Sequence, residues 1–214
     1  LNTETHIAYV SGYPDGTVRP NAPITRAETA QMLYRLLTDE ARREYQTDRS
    51  AYSDVPAGLW YSTSVATLSS MGVITGYPDG TFRPTANITR AEFATLLSRL
   101  SGADSARGAA FSDVSAHWAR KAIAAVSAKG WVSGYPDGTF RPNANITRAE
   151  AMAMLNRMLG RLPESERDLL PGMSTFSDNM DSGKWYYLYV QEATNGHTSV
   201  SYTHLRAHET LMNL

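Results

Sequence analysis

Three stretches of the chain carry apolar residues at helical spacing, and each stretch begins with the same polar pattern. In the second, Ala94, Leu97 and Leu100 fall on one face of a helix. Thr89 precedes this run and Glu92 comes three residues later, which is the capping-box pattern that satisfies backbone N–H groups at a helix start. The predicted boxes are Thr25 with Glu28, Thr89 with Glu92, and Thr147 with Glu150.

A turn pattern precedes each of these capped helices. The string GYPDGTFRPNANITRAE at 134–150 recurs with few changes at 12–28 and 76–92. Proline presets φ, aspartate bonds its own backbone, and glycine accepts a left-handed conformation, so Tyr-Pro-Asp-Gly predicts a chain reversal. Each unit is therefore predicted to consist of a turn, a short extended segment and a capped helix.

A second predicted helix precedes two of the turns. Residues 52–75 and 111–133 share an aromatic-Ser-Asp-Val start, a tryptophan and an apolar run that ends at Gly72 or Gly130. Two helices joined by the turn form the repeating unit, which is typical of an array whose members pack against each other. After the first capped helix, which should end near Leu37, the charged run 38–49 is expected to continue as exposed helix into a linker.

The two ends of the chain depart from this repeat. Only a strand-like segment, Ile7–Val10, precedes the first turn. Near the C-terminus, the part of the repeat that normally precedes a turn, its front half, occurs without a turn after it. This front half consists of Phe176-Ser177-Asp178, Trp185 and a stop at Gly196. We expect this C-terminal segment to pack beside Ile7–Val10 and the helix after Thr25, and to complete the first repeat. The predicted divisions are 1–50 (turn-and-helix half with a linker helix), 51–102 and 110–160 (full repeats), 161–198 (linker and completing front half) and 199–214 (tail).

The tail at 199–214 has no counterpart in any repeat. It resembles the translation of a sequencing adapter, and we expect it to be non-native. His204 and His208 stand four residues apart with Glu209 beside them, a spacing that could hold a metal ion on a helix. No third ligand set lies nearby, so we predict no metal site.

Composition narrows the class of protein. The 214 residues include no cysteine, which excludes a disulfide scaffold. Their net charge of −1 provides no positive surface potential that would attract nucleic acid. No apolar run is long enough for membrane insertion. The chain begins with Leu1 rather than Met, and we expect it to be part of a longer protein. The repeated positions supply no nucleophile with a base and an orienting residue, so we expect neither enzymatic activity nor a cofactor.

The arginine after each helix cap is the unusual residue of the repeat. Arg26, Arg90 and Arg148 stand where a helix start is partially positive, which disfavours a cation by roughly 0.3–1 kcal/mol. An ion pair to the glutamate of the same box or to the turn aspartate could offset this cost. A ligand carboxylate or phosphate, held by the guanidinium group and the helix-end amides, is the other explanation.

The succession FSDV, Trp, GYPDGTFRP and ITRAE resembles S-layer homology domains, the wall-anchoring modules of bacterial surface proteins, over about residues 7–197. The resemblance implies a mainly α fold, a pseudo-threefold arrangement of helix-loop-helix repeats with a central helical bundle and prongs. It also implies inter-repeat grooves that bind secondary cell-wall polysaccharide, often through ketal-linked pyruvate, with Arg26, Arg90 and Arg148 contacting the carboxylate. An extracellular location in the cell wall or S-layer follows from the same resemblance.

Other repeated residues are further candidates for the ligand site. Trp60 and Trp118 could pack in the core or form platforms for sugar rings at a groove edge. Gly76 and Gly134 are also predicted to bind the ligand. The arginines of the extended segment could add positive potential or pair with acidic neighbours. The turn aspartates are interpreted as turn formers, since one carboxylate per loop is too few for calcium. The arginines of the extended segment are Arg19, Arg83 and Arg141, and the turn aspartates are Asp15, Asp79 and Asp137.

Together with this resemblance, these patterns predict a non-catalytic, carbohydrate-binding anchor. The partner that the resemblance implies is an acidic or pyruvylated wall polysaccharide associated with peptidoglycan, with S-layer neighbours as further candidates. The alternative is a structural module that mediates self-assembly of the S-layer or protein partnering without binding glycan directly.

Overall fold

The helices occur along the chain in the order that the sequence repeat predicts. The computed structural model describes residues 1–3, 5–103 and 111–198; the adapter-like tail, with His204, His208 and Glu209, lies outside the described residues. None of the described helices combines the length and apolar character needed to cross a membrane. In chain order the elements are β1 (Thr5–His6), α1 (Arg26–Arg35), α2 (Asp39–Tyr45), α3 (Ser62–Ser70), α4 (Arg90–Ser101), α5 (Arg120–Ala128), α6 (Arg148–Leu159), a 3₁₀ turn (Glu166–Asp168), α7 (Tyr187–Thr194) and β2 (His197–Thr198).

The predicted capping boxes are confirmed at the starts of α1, α4 and α6. At α4, Thr89 Oγ1 accepts a hydrogen bond from the Glu92 N–H (3.2 Å), and the Glu92 carboxylate accepts one from the Thr89 N–H (2.8 Å). The same reciprocal pair forms at α1 and α6. The three helices therefore begin with one shared geometry, which allows the repeats to meet in equivalent ways.

These three helix starts meet in a closed ring of backbone hydrogen bonds. The N–H of Ile24 donates to the Ile146 carbonyl (3.1 Å), that of Ile88 to Ile24 (3.1 Å), and that of Ile146 to Ile88 (3.0 Å). Each isoleucine is at most 2% exposed. Because every repeat donates to one neighbour and accepts from the other, the ring closes on itself, and the predicted mainly α, pseudo-threefold arrangement is confirmed.

The second helices form an outer layer around this centre. α3 packs against α1, α5 against α4, and α7 against α6. Gly72 and Gly130 follow the C-caps of α3 and α5 with φ of +70° and +73°, as the predicted glycine stops require. α7 also ends two residues before its predicted stop at Gly196, but its C-cap, Asn195, is extended, and Gly196 lies against the backbone of the N-terminal segment.

The charged run after α1 forms an exposed helix, as predicted, although Thr38 accepts a hydrogen bond from the Ala41 N–H and so starts a separate helix, α2, which has no buried residue. The predicted strand at Ile7–Val10 is wrong. The N-terminal strand is Thr5–His6, paired antiparallel with His197–Thr198, rather than Ile7–Val10. The N–H groups of Tyr9 and Val10 both donate to the Ala193 carbonyl at the end of α7 instead. The N-terminal segment is therefore joined to residues 193–198.

An aspartate ties the front half of each repeat to its turn. Asp54 accepts hydrogen bonds from the Phe82 and Arg83 N–H groups, both at 2.7 Å. The equivalent sets are Asp113 with Phe140 and Arg141, and Asp178 with Val18 and Arg19. The arginine of each set has a φ between 51° and 59°, a left-handed conformation that is uncommon outside glycine. The carboxylate thus holds a strained backbone in place.

Asp178 gives the C-terminal segment the same role toward the first turn. The Phe176 ring lies against Gly12, as Tyr52 and Phe111 lie against the first glycine of their own turns. We infer that 161–198 supplies the front half of the first repeat. Its helix packs on α6 rather than on the helix after Thr25, because every front helix in this ring packs on the core helix of the preceding repeat.

Asp178→Ala is expected to lower the free energy of unfolding by about 1–2 kcal/mol, since two backbone N–H groups lose a charged acceptor. Urea unfolding followed by circular dichroism measures this loss. Asp113→Ala should cost a similar amount, whereas Asp181→Ala, which removes an exposed ion pair with Lys184, should change little. A destabilised Asp113 variant beside an unchanged Asp178 variant would show that the C-terminal segment does not hold the first turn.

Candidate functional site

An arginine reaches from each core helix into the next repeat. Arg90 donates from Nε to the Phe140 carbonyl (2.8 Å), from Nη2 to the Ser133 carbonyl (3.3 Å) and from Nη1 to Glu150 Oε1 (2.9 Å). The corresponding partners are Phe82, Thr75 and Glu92 for Arg26, and Val18, Ser11 and Glu28 for Arg148. The three arginines therefore occupy one environment, repeated around the ring.

The ion-pair partner of each arginine differs from the predicted one. It is the capping-box glutamate of the next repeat, neither the glutamate of the same box nor the turn aspartate. The guanidinium group leaves its own helix start and lies among carbonyl oxygens of the neighbour. Those oxygens and the carboxylate offset the unfavourable position of a cation at a helix N-terminus.

These guanidinium groups lie in the walls of three grooves between repeats. Arg26, Arg90 and Arg148 are only 8%, 3% and 5% exposed, yet they line cavities of about 150, 430 and 250 Å³ respectively. An arginine carries five N–H groups, and the three contacts described above leave two of them without a described acceptor.

Each groove also contains a second arginine, which the sequence analysis missed. Arg99 lines the groove of Arg26, Arg157 that of Arg90, and Arg35 that of Arg148. Each stands seven residues after the box glutamate, two turns along the core helix and on the same face. The signal was present, because the three repeats still agree at this position beyond the ITRAE string.

The second arginine gives each groove a net positive charge. In the groove of Arg90, that arginine and Glu150 compensate each other, and Tyr135 donates a hydrogen bond to the same carboxylate (2.7 Å). Within the described residues no carboxylate pairs with the second arginines, whose contacts are to neutral groups. These contacts are Arg157 to Tyr189 Oη (3.2 Å), Arg99 to the Val73 carbonyl (3.3 Å) and Arg35 to Ser11 Oγ (2.7 Å). The grooves therefore favour an anion.

The protonation states of the groove carboxylate and phenol support this balance. Burial raises the pKa of Glu28, but hydrogen bonds from the Thr25 N–H and the Tyr13 hydroxyl, together with the charge of Arg148, outweigh it, and the pKa is lowered overall. Burial first, and then the bond to Glu28, raise the pKa of the Tyr13 phenol. At neutral pH the carboxylate is charged and the phenol is a neutral donor.

The tryptophans lie at the groove edges and not in the core. Trp60, Trp118 and Trp185 are 62%, 65% and 56% exposed. Trp118 lines the groove of Arg26, and the other two occupy the same place in the remaining grooves. Each groove thus combines an arginine of one repeat, a glutamate and second arginine of the next, and a tryptophan of the front half that follows.

Comparison with known proteins identifies this architecture. The family model described as the S-layer homology domain matches residues 8–30, 51–94 and 110–152. The chain belongs to the S-layer homology domain family. The C-terminal segment 161–198 lies outside the matched residues, so its place in the ring of S-layer homology repeats rests on the contacts of Phe176 and Asp178.

Several curated proteins are similar to this chain. Cell surface glycoprotein 1 of Acetivibrio thermocellus is 36% identical over 207 residues, which cover 91% of the chain and 9% of that protein. The cellulosome-anchoring protein of the same organism is 38% identical over 167 residues, 75% of the chain and 37% of that protein. S-layer protein EA1 of Bacillus anthracis is 36% identical over 129 residues, 56% of the chain and 15% of that protein. The chain therefore spans a minor part of the length of each.

The candidate glycines of the S-layer homology repeats have a packing role. A Cβ on Gly76 or Gly134 would lie within 2.8 Å of the aromatic ring of the same repeat, so only glycine allows this close approach. Both residues also line their grooves. Among the described hydrogen bonds no protein acceptor takes their N–H groups.

The exposed arginines and turn aspartates of the S-layer homology repeats pair with each other. Asp79 accepts hydrogen bonds from the Thr81 hydroxyl (2.6 Å), the Thr81 N–H (3.0 Å) and Arg83 (2.9 Å), and the guanidinium of Arg83 stacks on Tyr77 at 3.9 Å. These bonds, from Thr81 first, lower the pKa of Asp79 to about 2. The aspartate therefore shapes its turn, and the paired Arg83 adds little net charge to the groove.

Proposed function

We propose that this chain is a non-catalytic anchor that attaches a bacterial surface protein to an acidic secondary cell-wall polysaccharide. The names of its relatives, a cell surface glycoprotein, a cellulosome-anchoring protein and an S-layer protein, support a place at the cell surface. The carboxylate of a ketal-linked pyruvate is the ligand group that best fits the three grooves.

The net positive charge of each groove is the observation that carries this proposal. In the groove of Arg26, Glu92 compensates one guanidinium group, and Arg99 is left without a carboxylate among the described residues. A ligand carboxylate can therefore enter without displacing the internal pair, and accept hydrogen bonds from both arginines and from the Gly76 N–H. Charge-assisted bonds of this kind contribute about 1.5–3 kcal/mol each.

The tryptophan beside each charge supports a sugar ligand rather than a simple anion. Trp118 exposes an indole face at the edge of the groove that holds Arg26 and Arg99. An aromatic face suits the C–H surface of a sugar ring, while the acidic substituent reaches the arginines. Three such grooves on one ring can engage a polyvalent polymer together, which raises apparent affinity by about 10²–10⁴ over a single site.

Sedimentation with purified wall sacculi tests this function. We expect the chain to bind native sacculi and to lose binding after mild acid removes the pyruvate ketals. Binding that survives this treatment but is lost when the polysaccharide is stripped would indicate another acidic glycan. Binding to stripped sacculi, or self-association without wall material in sedimentation velocity, would favour the alternative of a protein assembly module and contradict the proposal.

Replacing Trp60, Trp118 and Trp185 with alanine is expected to weaken glycan binding while leaving the fold intact. Each exposed ring contributes roughly 0.5–1.5 kcal/mol to its groove, about a 2- to 13-fold loss in affinity. Titration calorimetry with the isolated polysaccharide measures the loss, and the melting temperature measures the fold. Met180→Ala, which removes an apolar side chain that is 65% exposed outside the grooves, is the matched control. Equal affinity of the triple variant and wild type would exclude a role for the rings.

A further inference from the structure

Three potential metal ligands from the two ends of the chain meet beside the ring of repeats. His6 lies in β1, His197 in β2 and Glu192 in the last turns of α7. His6 Nδ1 is 2.9 Å from Glu192 Oε1 and 2.8 Å from His197 Nε2, and His197 Nε2 is 3.7 Å from Glu192 Oε2. Within the described ranges no repeat contains a counterpart of this cluster, which belongs to neither the grooves nor the turns.

The three side chains of the cluster are largely buried. The side chain of Glu192 is 0% exposed, and those of His6 and His197 are 11% and 3% exposed. Arg161 is close enough to affect Glu192 electrostatically, but its hydrogen bonds go to the carbonyls of Asn2, Thr5 and Ile7. A buried carboxylate is costly unless a positive charge compensates it, and within the described residues the two imidazoles are its ion-pair partners.

The ligand types and their spacing fit a transition-metal ion. Two imidazole nitrogens and one glutamate oxygen form the donor set found in one class of zinc site, where water supplies the fourth ligand. Zinc–ligand lengths of roughly 2.0–2.2 Å at tetrahedral angles separate the ligand atoms by about 3.3–3.6 Å. The observed separations of 2.8–3.7 Å, taken to both oxygens of Glu192, bracket this range, and one ligand atom from each residue lies within 4.8 Å of the other two. A small rotation of the carboxylate and of the imidazoles would therefore accommodate an ion.

We propose that His6, Glu192 and His197 bind a divalent transition-metal ion such as Zn²⁺, which fastens the N-terminal strand to the C-terminal segment. The ion compensates the buried carboxylate and links the β1–β2 pair to α7. Imidazole ligands disfavour Ca²⁺ and Mg²⁺, which take oxygen ligands. Because the unfolded chain holds these residues far apart, the ion stabilises the folded state, in which the N-terminal strand meets the C-terminal segment.

Zinc titration of the full chain, freed of any purification tag and treated with chelator, tests this site. His204 and His208 of the tail could also bind metal, so the reference protein carries His204→Ala and His208→Ala. We expect one Zn²⁺ per chain by calorimetry and a rise in melting temperature of about 5–10 °C at a 100-fold excess over Kd. Ca²⁺ should produce neither effect.

Single substitutions in the same background identify the ligands. His6→Ala, His197→Ala and Glu192→Gln should each weaken Zn²⁺ binding by at least about 100-fold, whereas His117→Ala, which changes a half-buried histidine elsewhere, should leave the affinity unchanged. A variant that fails to fold does not decide the matter alone, so the reference protein is also titrated with Co²⁺. Visible absorption bands of tetrahedral Co²⁺ would support the site. The absence of Zn²⁺ binding in the reference protein, or binding that survives loss of both His6 and His197, would overturn it.

Discussion

Replacing Arg90 with alanine will lower the free energy of unfolding by about 3–5 kcal/mol, the cost of removing one partner of a buried ion pair. The Arg90 side chain is 4% exposed and that of Glu150 is 17% exposed. The variant leaves this carboxylate without its cation and leaves the Phe140 and Ser133 carbonyls without their donor. All three partners belong to the next repeat, so the loss acts on the contact between repeats.

Urea unfolding monitored by circular dichroism measures this effect. Arg120→Ala, at an exposed arginine whose hydrogen bond goes to the Ser115 carbonyl, is the control and should change stability by less than about 0.5 kcal/mol. A loss below about 1 kcal/mol for Arg90→Ala would show that the pair does not hold the repeats together. The ITRAE arginines are thus structural as well as candidate ligand contacts, and their substitution alone cannot separate the two roles.

Replacing the second arginines, Arg35, Arg99 and Arg157, with glutamine will weaken binding to the isolated polysaccharide by at least about 100-fold. Each substitution removes the uncompensated charge of one groove, and a charge-assisted bond of 1.5–3 kcal/mol corresponds to about a 13- to 160-fold loss per site. The inter-repeat pairs remain in place, so stability should change by no more than about 1 kcal/mol. Surface plasmon resonance on immobilised polysaccharide gives the affinity.

A triple variant with the same change in net charge is the matched control. Arg120, Lys121 and Lys129 are exposed and line none of the three grooves, and their replacement by glutamine should reduce affinity by less than about threefold. If both triple variants lost affinity equally, the effect would come from overall charge, and the grooves would have no specific role.

Local chemistry made much of the fold predictable. Thr89 and Glu92 define a helix start through atoms three residues apart, and Gly72 ends a helix because of its own backbone freedom. Such signals need no knowledge of the neighbouring repeats. The repetition of the string then indicated a ring of equivalent units, and the same kind of comparison carried beyond ITRAE would have found Arg99.

Contacts between repeats could not be predicted in the same way. Arg90 and Glu150 are 60 residues apart, and their pairing depends on the order of the repeats around the ring. The exposure of Trp118 likewise depends on where α5 packs. Because of this packing, Trp118 of the third repeat lies in the groove between the first and second repeats. Arg83 takes a positive φ because Asp54 accepts its N–H, a tertiary contact that replaces the glycine expected for that conformation.

Calorimetric titration with a short fragment of the polysaccharide that bears one pyruvate ketal tests the recognition of the acidic group most directly. The methyl ester of the same fragment keeps the sugar and its shape but removes the negative charge. We expect measurable binding of the free acid, at up to three sites per chain, and at least about tenfold weaker binding of the ester. Equal affinity for the two fragments would contradict it.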